Sequence, residues 1–176
     1  MARTTIPTRP HYWVKTPTKC PSLGSKMTTD ENAHQLLRGE LLLDGIVDTI
    51  NLAGIHSRVK QHYPSASEPE LINATVETIR ALIDDDLMEA GYYGDNGKFT
   101  PAPLDQWMRE LTDAYVTHHD DRAEWVFSYW LNLTDKGRRI ALSTEQGKAV
   151  DRHERERIAG LRAAGYREPH DQRGAQ

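Results

Sequence analysis

The sequence predicts a mainly α-helical domain with a small β component and basic extensions at both ends. Three observations predict it. Apolar residues recur at helical spacing through residues 30–59, 71–87 and 102–119. The stretch "WVFSYWLNLT", residues 125–134, alternates as a strand does. A Gly-Asp-Asn-Gly turn at 94–97 follows the second helical stretch. At 176 residues and 20.0 kDa the chain can bury one core and is short for two.

Taken in order, residues 1–29 read as a Pro/Thr-rich arm through which no helical or strand period runs. His11, Tyr12 and Trp13 give it an aromatic cluster able to dock on a neighbour. Met27 opens a stretch that reads as a second protein start. From Asp30, Leu36, Leu37, Leu41, Ile46, Ile50 and Ile55 form an apolar stripe, capped by Thr29 or Asp30. Gly39, Gly45 and Gly54 weaken a single helix, so two pieces through Val59 suit this stretch as well as one. "HYPSASEPE" is a turn, with Ser65 or Ser67 as the next cap and Pro69 in the first helical turn.

Leu71, Ile72, Val76, Ile79, Leu82 and Leu87 keep a helical period that passes into Met88–Tyr93. Leu104, Trp107, Met108, Leu111 and Tyr115 mark another amphipathic helix over about 102–119. Within the alternating stretch, Tyr129 and Trp130 point to opposite faces, so one of them needs cover from the inserted helix, a second copy or another protein. Thr134 caps a helix that starts at Asp135. Residues 145–164 form an Arg-rich helix with a narrow apolar edge at Ile158 and Leu161, and a polar tail follows.

Charge is unevenly distributed. The chain totals -4, but residues 31–136 hold nineteen acids against eight Lys/Arg, a net of -11, while residues 1–30 and 137–176 are net +4 and +3. Such asymmetry speaks of partners rather than of fold. The longest apolar run is Leu41-Leu42-Leu43, so no membrane span is expected, and without a secretory apolar stretch at the N-terminus the expected location is the cytoplasm. Cys20 alone supports neither a disulfide framework nor a multi-cysteine zinc site.

Two stretches carry a family resemblance: "SASEPELINATVETIRALIDDDLMEAGYY" in the order helix, turn, helix, strand, and "WLNLTDKGRRIA" as a returning strand and a helix. Residues 31–142 thereby resemble a winged helix-turn-helix domain, similar in order to regulators of the multiple-antibiotic-resistance type, with a helix inserted in the wing. The expected organisation is an arm over 1–29, a winged-helix-like domain over 30–143 with its inserted helix at about 102–119, and a charged helix and tail over 144–176. The resemblance implies a recognition helix over Thr75–Asp86, exposing Asn73, Thr75, Glu77, Thr78, Arg80 and Asp84 to Asp86. It also implies Lys136, Arg138 and Arg139 as phosphate contacts beside the wing.

That helix offers one Arg against Glu77 and an Asp-Asp-Asp run, and phosphate binding needs nearby cations. The pattern fits a basic protein better than DNA. His118-His119-Asp120-Asp121 reads as a solvated helix end, because adjacent histidines on a helix do not chelate together. Asp84 to Asp86 lack the calcium-loop spacing, and no phosphate-binding loop, nucleophile elbow or His-Glu-x-x-His motif occurs. No cofactor, metal or catalytic residue is expected.

The expected function is therefore a non-enzymatic protein-interaction module, of inhibitor or immunity type, neutralising a basic partner such as a toxin domain. Its acidic face would be Glu77, Asp84, Asp85 and Asp86, and its aromatic surface Tyr129 and Trp130. The alternative is a transcriptional regulator, dimeric through the helix at 145–164, with Arg80, Lys136, Arg138 and Arg139 on DNA. A third reading is an assembly or virion-associated component docked by its basic arms.

Overall fold

The computed structural model describes residues 24–94 and 97–165, with side chains from residue 31 onward. The arm as far as residue 23, with His11, Tyr12, Trp13 and Cys20, lies outside the described residues, as does the tail from residue 166. Among the described residues the chain forms α1 (Gly24–Val47), β1 (Ile50–Asn51), α2 (Leu52–His62) and α3 (Glu68–Asp84). β2 (Met88–Tyr93), β3 (Phe99–Pro101) and α4 (Leu104–Leu111) follow, and α4 runs on into a π-helical segment, Thr112–Thr117. α5 (Arg122–Trp125), β4 (Trp130–Leu133), α6 (Asp135–Ala141) and α7 (Glu145–Ala163) complete it. The fold is mainly helical with one small antiparallel sheet.

The sheet has the order β1-β4-β2-β3. β4 is central, pairing Leu131 with Ile50 on one side and with Ala90 on the other. Alternation along the strands sends Met88, Ala90 and Leu131 into the core and Glu89, Gly91, Trp130 and Asn132 to the opposite face. Against the core face pack Leu37 and Leu41 of α1, Leu52, Ile55 and Val59 of α2, and Leu71, Ile79 and Leu82 of α3, all buried.

Local chemistry accounts for the helix ends. Asn51 caps α2 by accepting from the Gly54 amide at 2.8 Å. Ser67 precedes α3, and the Glu70 carboxylate reaches back to its backbone N–H at 2.7 Å, a capping box next to Pro69. Thr134 accepts from the Gly137 amide at 3.0 Å to start α6, and Thr144 accepts from the Gly147 amide at 3.0 Å to start α7. Gly137 is required by contact, because a Cβ there would collide with the Leu87 carbonyl.

Several expectations are corrected. α1 begins at Gly24, so the expected arm boundary at residue 29 falls inside a helix; of the two arrangements expected through Val59, the chain takes the one with two helices, α1 and α2, separated by β1. The stretch read as helix, turn, helix and strand is one helix, α3, followed directly by β2. Thr75 and Thr78, expected on its outer surface, are buried, each donating its hydroxyl to the carbonyl four residues back at 2.7 Å. "WVFSYWLNLT" is a strand only from Trp130, since Trp125 closes α5 with its indole donating to the His119 carbonyl at 2.9 Å. No helix among the described residues is long and apolar enough to cross a membrane.

Candidate partner-binding site at Trp130

The two expected surface aromatics separate. Tyr129 is buried rather than displayed, because Trp107 of α4 stands edge-on to it with centroids 5.6 Å apart. α4 is thus the cover that the alternation required. Trp107 is itself anchored by its indole N–H on the Gly91 carbonyl at 3.1 Å.

Trp130 lies on the opposite face and stays partly exposed. Its ring meets Tyr93 edge-on at 4.8 Å, and Tyr93 meets Phe99 at 6.2 Å, so three rings continue across that face. Gly91 makes room for this row, since a Cβ there would strike the Phe99 ring and the Thr100 carbonyl. The Trp130 indole N–H donates to the Phe127 carbonyl at 2.9 Å, holding a turn whose Phe127 side chain is 71% exposed. Tyr93 and Val47 are also exposed, which gives this end an apolar rim.

Trp130 forms one wall of an open cavity of about 570 Å³ between β1, α2 and the end of α1. Arg58 of α2 crosses it and donates to both Asp44 oxygens, at 2.7 and 2.8 Å. That bidentate bond raises the guanidinium above its ordinary range. Asp48 uses one oxygen to accept from the Thr49 backbone N–H at 2.7 Å and, among the described residues, pairs with no cation in the cavity. The Thr49 hydroxyl shares a hydrogen bond of 2.7 Å with that of Tyr93, tying the cavity rim to the aromatic row. With two carboxylates against one guanidinium, the cavity is net acidic beside an aromatic wall.

The expected acidic face splits in two. Glu77 and Arg80 lie on an exposed stripe of α3 with Glu70, Asn73 and Asp84. Asp85 and Asp86 instead close the helix. Asp85 pairs with Arg38 of α1, and its carbonyl accepts from the Lys136 ammonium at 2.6 Å. Asp86 adopts a positive φ of 55° that ends α3, and its carbonyl accepts from the Thr134 hydroxyl at 2.7 Å. Arg38 and Lys136 thereby offset the carboxylates and carbonyls crowded at the negative end of the helix.

Among the residues expected on DNA, Lys136 is engaged as described and Arg138 pairs with Asp151 of α7 at 2.8 Å. Arg139 is exposed on α6. Arg80 borders a groove shared with Met108 and Arg109 of α4 and with Asp113.

A second cluster escaped the sequence reading. His119 turns inward, where its Nε2 meets Glu68 of α3 at 2.9 Å and its Nδ1 meets the Tyr115 carbonyl at 3.2 Å. His56 of α2 bonds the Tyr115 hydroxyl through Nδ1 at 2.6 Å. Burial holds the His56 imidazole below its ordinary range and pushes the Tyr115 phenol up to about 12. His119 stacks on Trp125 at 4.9 Å and 17°. The signal for it was present, since His119 continues the Leu111 and Tyr115 stripe at four-residue steps. No group of three or more His, Cys, Asp or Glu among the described residues could hold a metal ion.

No family model, curated protein or solved structure matches the chain.

Proposed function

We propose that the chain is a protein-interaction module on a winged-helix-like scaffold, of inhibitor or immunity type, whose acidic surface receives a basic partner. The observation that carries this reading is the site at Trp130: a row of surface aromatics beside a net-acidic cavity with an exposed apolar rim. An aromatic anchor flanked by unpaired carboxylate suits a lysine or arginine side chain, by cation–π contact and charge together. The order β1, α2, α3, β2, β4, with β4 between β1 and β2, supports the scaffold. In this reading β3, the π-helical segment, α4 and α5 form an insertion between the two wing strands.

Three features weigh against DNA reading. The exposed stripe of α3 presents Glu70, Glu77 and Asp84 against Arg80 alone. Lys136 and Arg138 are already bonded within the fold. The insertion also flanks α3 from Glu68, where His119 meets it, to Arg80, where Met108 and Arg109 share its groove. The twelve helical steps between them span about 18 Å. A major groove about 12 Å wide accommodates one helix with its side chains and leaves no width for a second ridge.

Co-purification of the full chain from its native host, compared with a Trp130→Ala variant, tests the module reading. A basic protein retained at low salt by the wild type and lost by the variant supports it. A mobility shift on the upstream DNA at low ionic strength, reduced by jointly neutralising Lys136, Arg138 and Arg139, supports the regulator instead.

A further inference from the structure

The Trp130 cavity lies at the C-terminal end of α1, where Asp44, Val47 and Asp48 line it. Arg58 balances Asp44, while Asp48 is exposed and bonded to no cation among the described residues. The complement is present in the same chain. Residues 1–23 hold Arg3, Arg9, Lys15 and Lys19, and the first acid of the sequence is Asp30. Within that arm, "RPHYWVK" at 9–15 sets Tyr12 and Trp13 between two cations. The cavity presents the counterpart, a spare carboxylate beside Trp130 and Tyr93 with the exposed apolar groups of Val47 and Phe127.

Reach decides which part of the arm suits the cavity. Asp44 is twenty residues along α1 from Gly24, about 30 Å at the helical rise. An extended chain covers at most about 3.4 Å per residue. Lys19, five residues before Gly24, spans about 17 Å and falls short. Lys15 spans about 31 Å, Trp13 about 37 Å and Arg9 about 51 Å, so only the segment from Lys15 back towards Arg9 reaches. α1 supplies a path for it. Leu36 and Val47 are exposed, Leu43 is partly so, and Gly39 between them meets open space, at spacings that place all four on one face of the helix. That face leads from an apolar groove against α6, lined by Leu36, Leu43 and Ile140, to the Trp130 cavity, lined by Val47.

We propose that the chain's own segment 9–15 occupies the Trp130 cavity, running back along the Leu36, Leu43 and Val47 face of α1, and so competes with the basic partner for that site. The proposal rests on the reading of Trp130 and its carboxylates as a receptor for basic side chains. Arg9 and Lys15 supply the cations, and Tyr12 and Trp13 cover the apolar rim. A tethered segment meets its site at an effective concentration on the order of 1 mM. An intrinsic affinity of about 0.1 mM then keeps the cavity filled roughly ten times in eleven and weakens an incoming partner about tenfold.

The test uses the full chain with ¹⁵N-labelled Trp and a nitroxide on Val14→Cys in a Cys20→Ser background. The Trp130 indole N–H signal is expected to lose most of its intensity, while that of Trp125, packed on His119, is retained. Joint Arg9→Ser and Lys15→Ser substitution, which changes no residue of the folded body, is expected to restore the Trp130 signal, as is Asp48→Asn. Tenfold dilution is expected to leave the loss unchanged. Trp130 attenuated no more than Trp125, or attenuation that survives the joint substitution, overturns the proposal. Attenuation that fades on dilution overturns it too, because the arm then comes from a second copy. If the nitroxide spares Trp130 while a basic protein still co-purifies with the chain, the arm proposal falls and the module reading stands.

Discussion

Tyr129 and Trp107 stand edge-on at 5.6 Å, one at the foot of the central strand and the other on α4. The contact joins α4 to the sheet and separates the tasks of the adjacent aromatics Tyr129 and Trp130. Trp107 is 1% exposed. Trp107→Ala removes this packing together with the indole bond to the Gly91 carbonyl, and is expected to destabilise the fold by about 3–5 kcal/mol, measured by urea denaturation. A loss below about 1 kcal/mol would show that α4 contributes little to the core.

Gly137 lies against the Leu87 backbone where α6 starts. Gly137→Ala forces apart two backbone segments that also share the Thr134 N–H to Leu87 carbonyl bond at 3.1 Å. A cost of about 1–3 kcal/mol is expected, visible as a lowered Tm. An unchanged Tm would contradict the close approach.

The pH dependence of stability has a definite sign at His56. Burial, the largest effect, lowers its folded value below the ordinary 6.5, so the folded state binds the proton less readily than the unfolded chain. Its stabilising contribution is therefore fully present above pH 6.5 and is lost as pH falls through the lowered folded value. Urea midpoints between pH 7.5 and 5 are expected to fall more steeply for the wild type than for His56→Gln. Parallel profiles would remove His56 as the cause.

Arg38 and Asp85 are paired, but the Asp85 side chain is 52% exposed. Arg38→Ala is expected to cost no more than about 1 kcal/mol, because solvent screens the pair and Lys136 still holds the Asp85 carbonyl. Thermal unfolding in low and high salt checks this, with the difference shrinking as salt rises.

What the sequence disclosed follows from how local each signal is. The helical stripes, the Ser67 and Thr134 caps and the Arg-rich helix are set by neighbours a few residues apart, and each is found in place. The strand alternation identified Trp130–Leu133 but ran too far, since Trp125 is claimed by His119, and periodicity carries no information about such a contact. Thr75 and Thr78 look polar on a helical wheel, yet their hydroxyls bond back to their own helix and let them enter the core. The Trp130 cavity and the partner that His119 finds on α3 were illegible for a different reason. Asp44 with Trp130, and Glu68 with His119, meet only once β1 has joined β4 and the chain after the π-helical segment has folded back on α3.

The central claim is that Trp130 and its acidic cavity receive a basic protein. The most direct measurement is size-exclusion chromatography of the chain isolated from its native host at low salt, for the wild type and Trp130→Ala. The variant loses an edge-on aromatic contact worth roughly 1 kcal/mol and is expected to stay folded by circular dichroism. The account predicts that the wild type elutes with a basic protein that dissociates as salt is raised, and that the folded variant elutes alone. A wild type that elutes alone at low salt, or a complex that Trp130→Ala leaves intact, would contradict it.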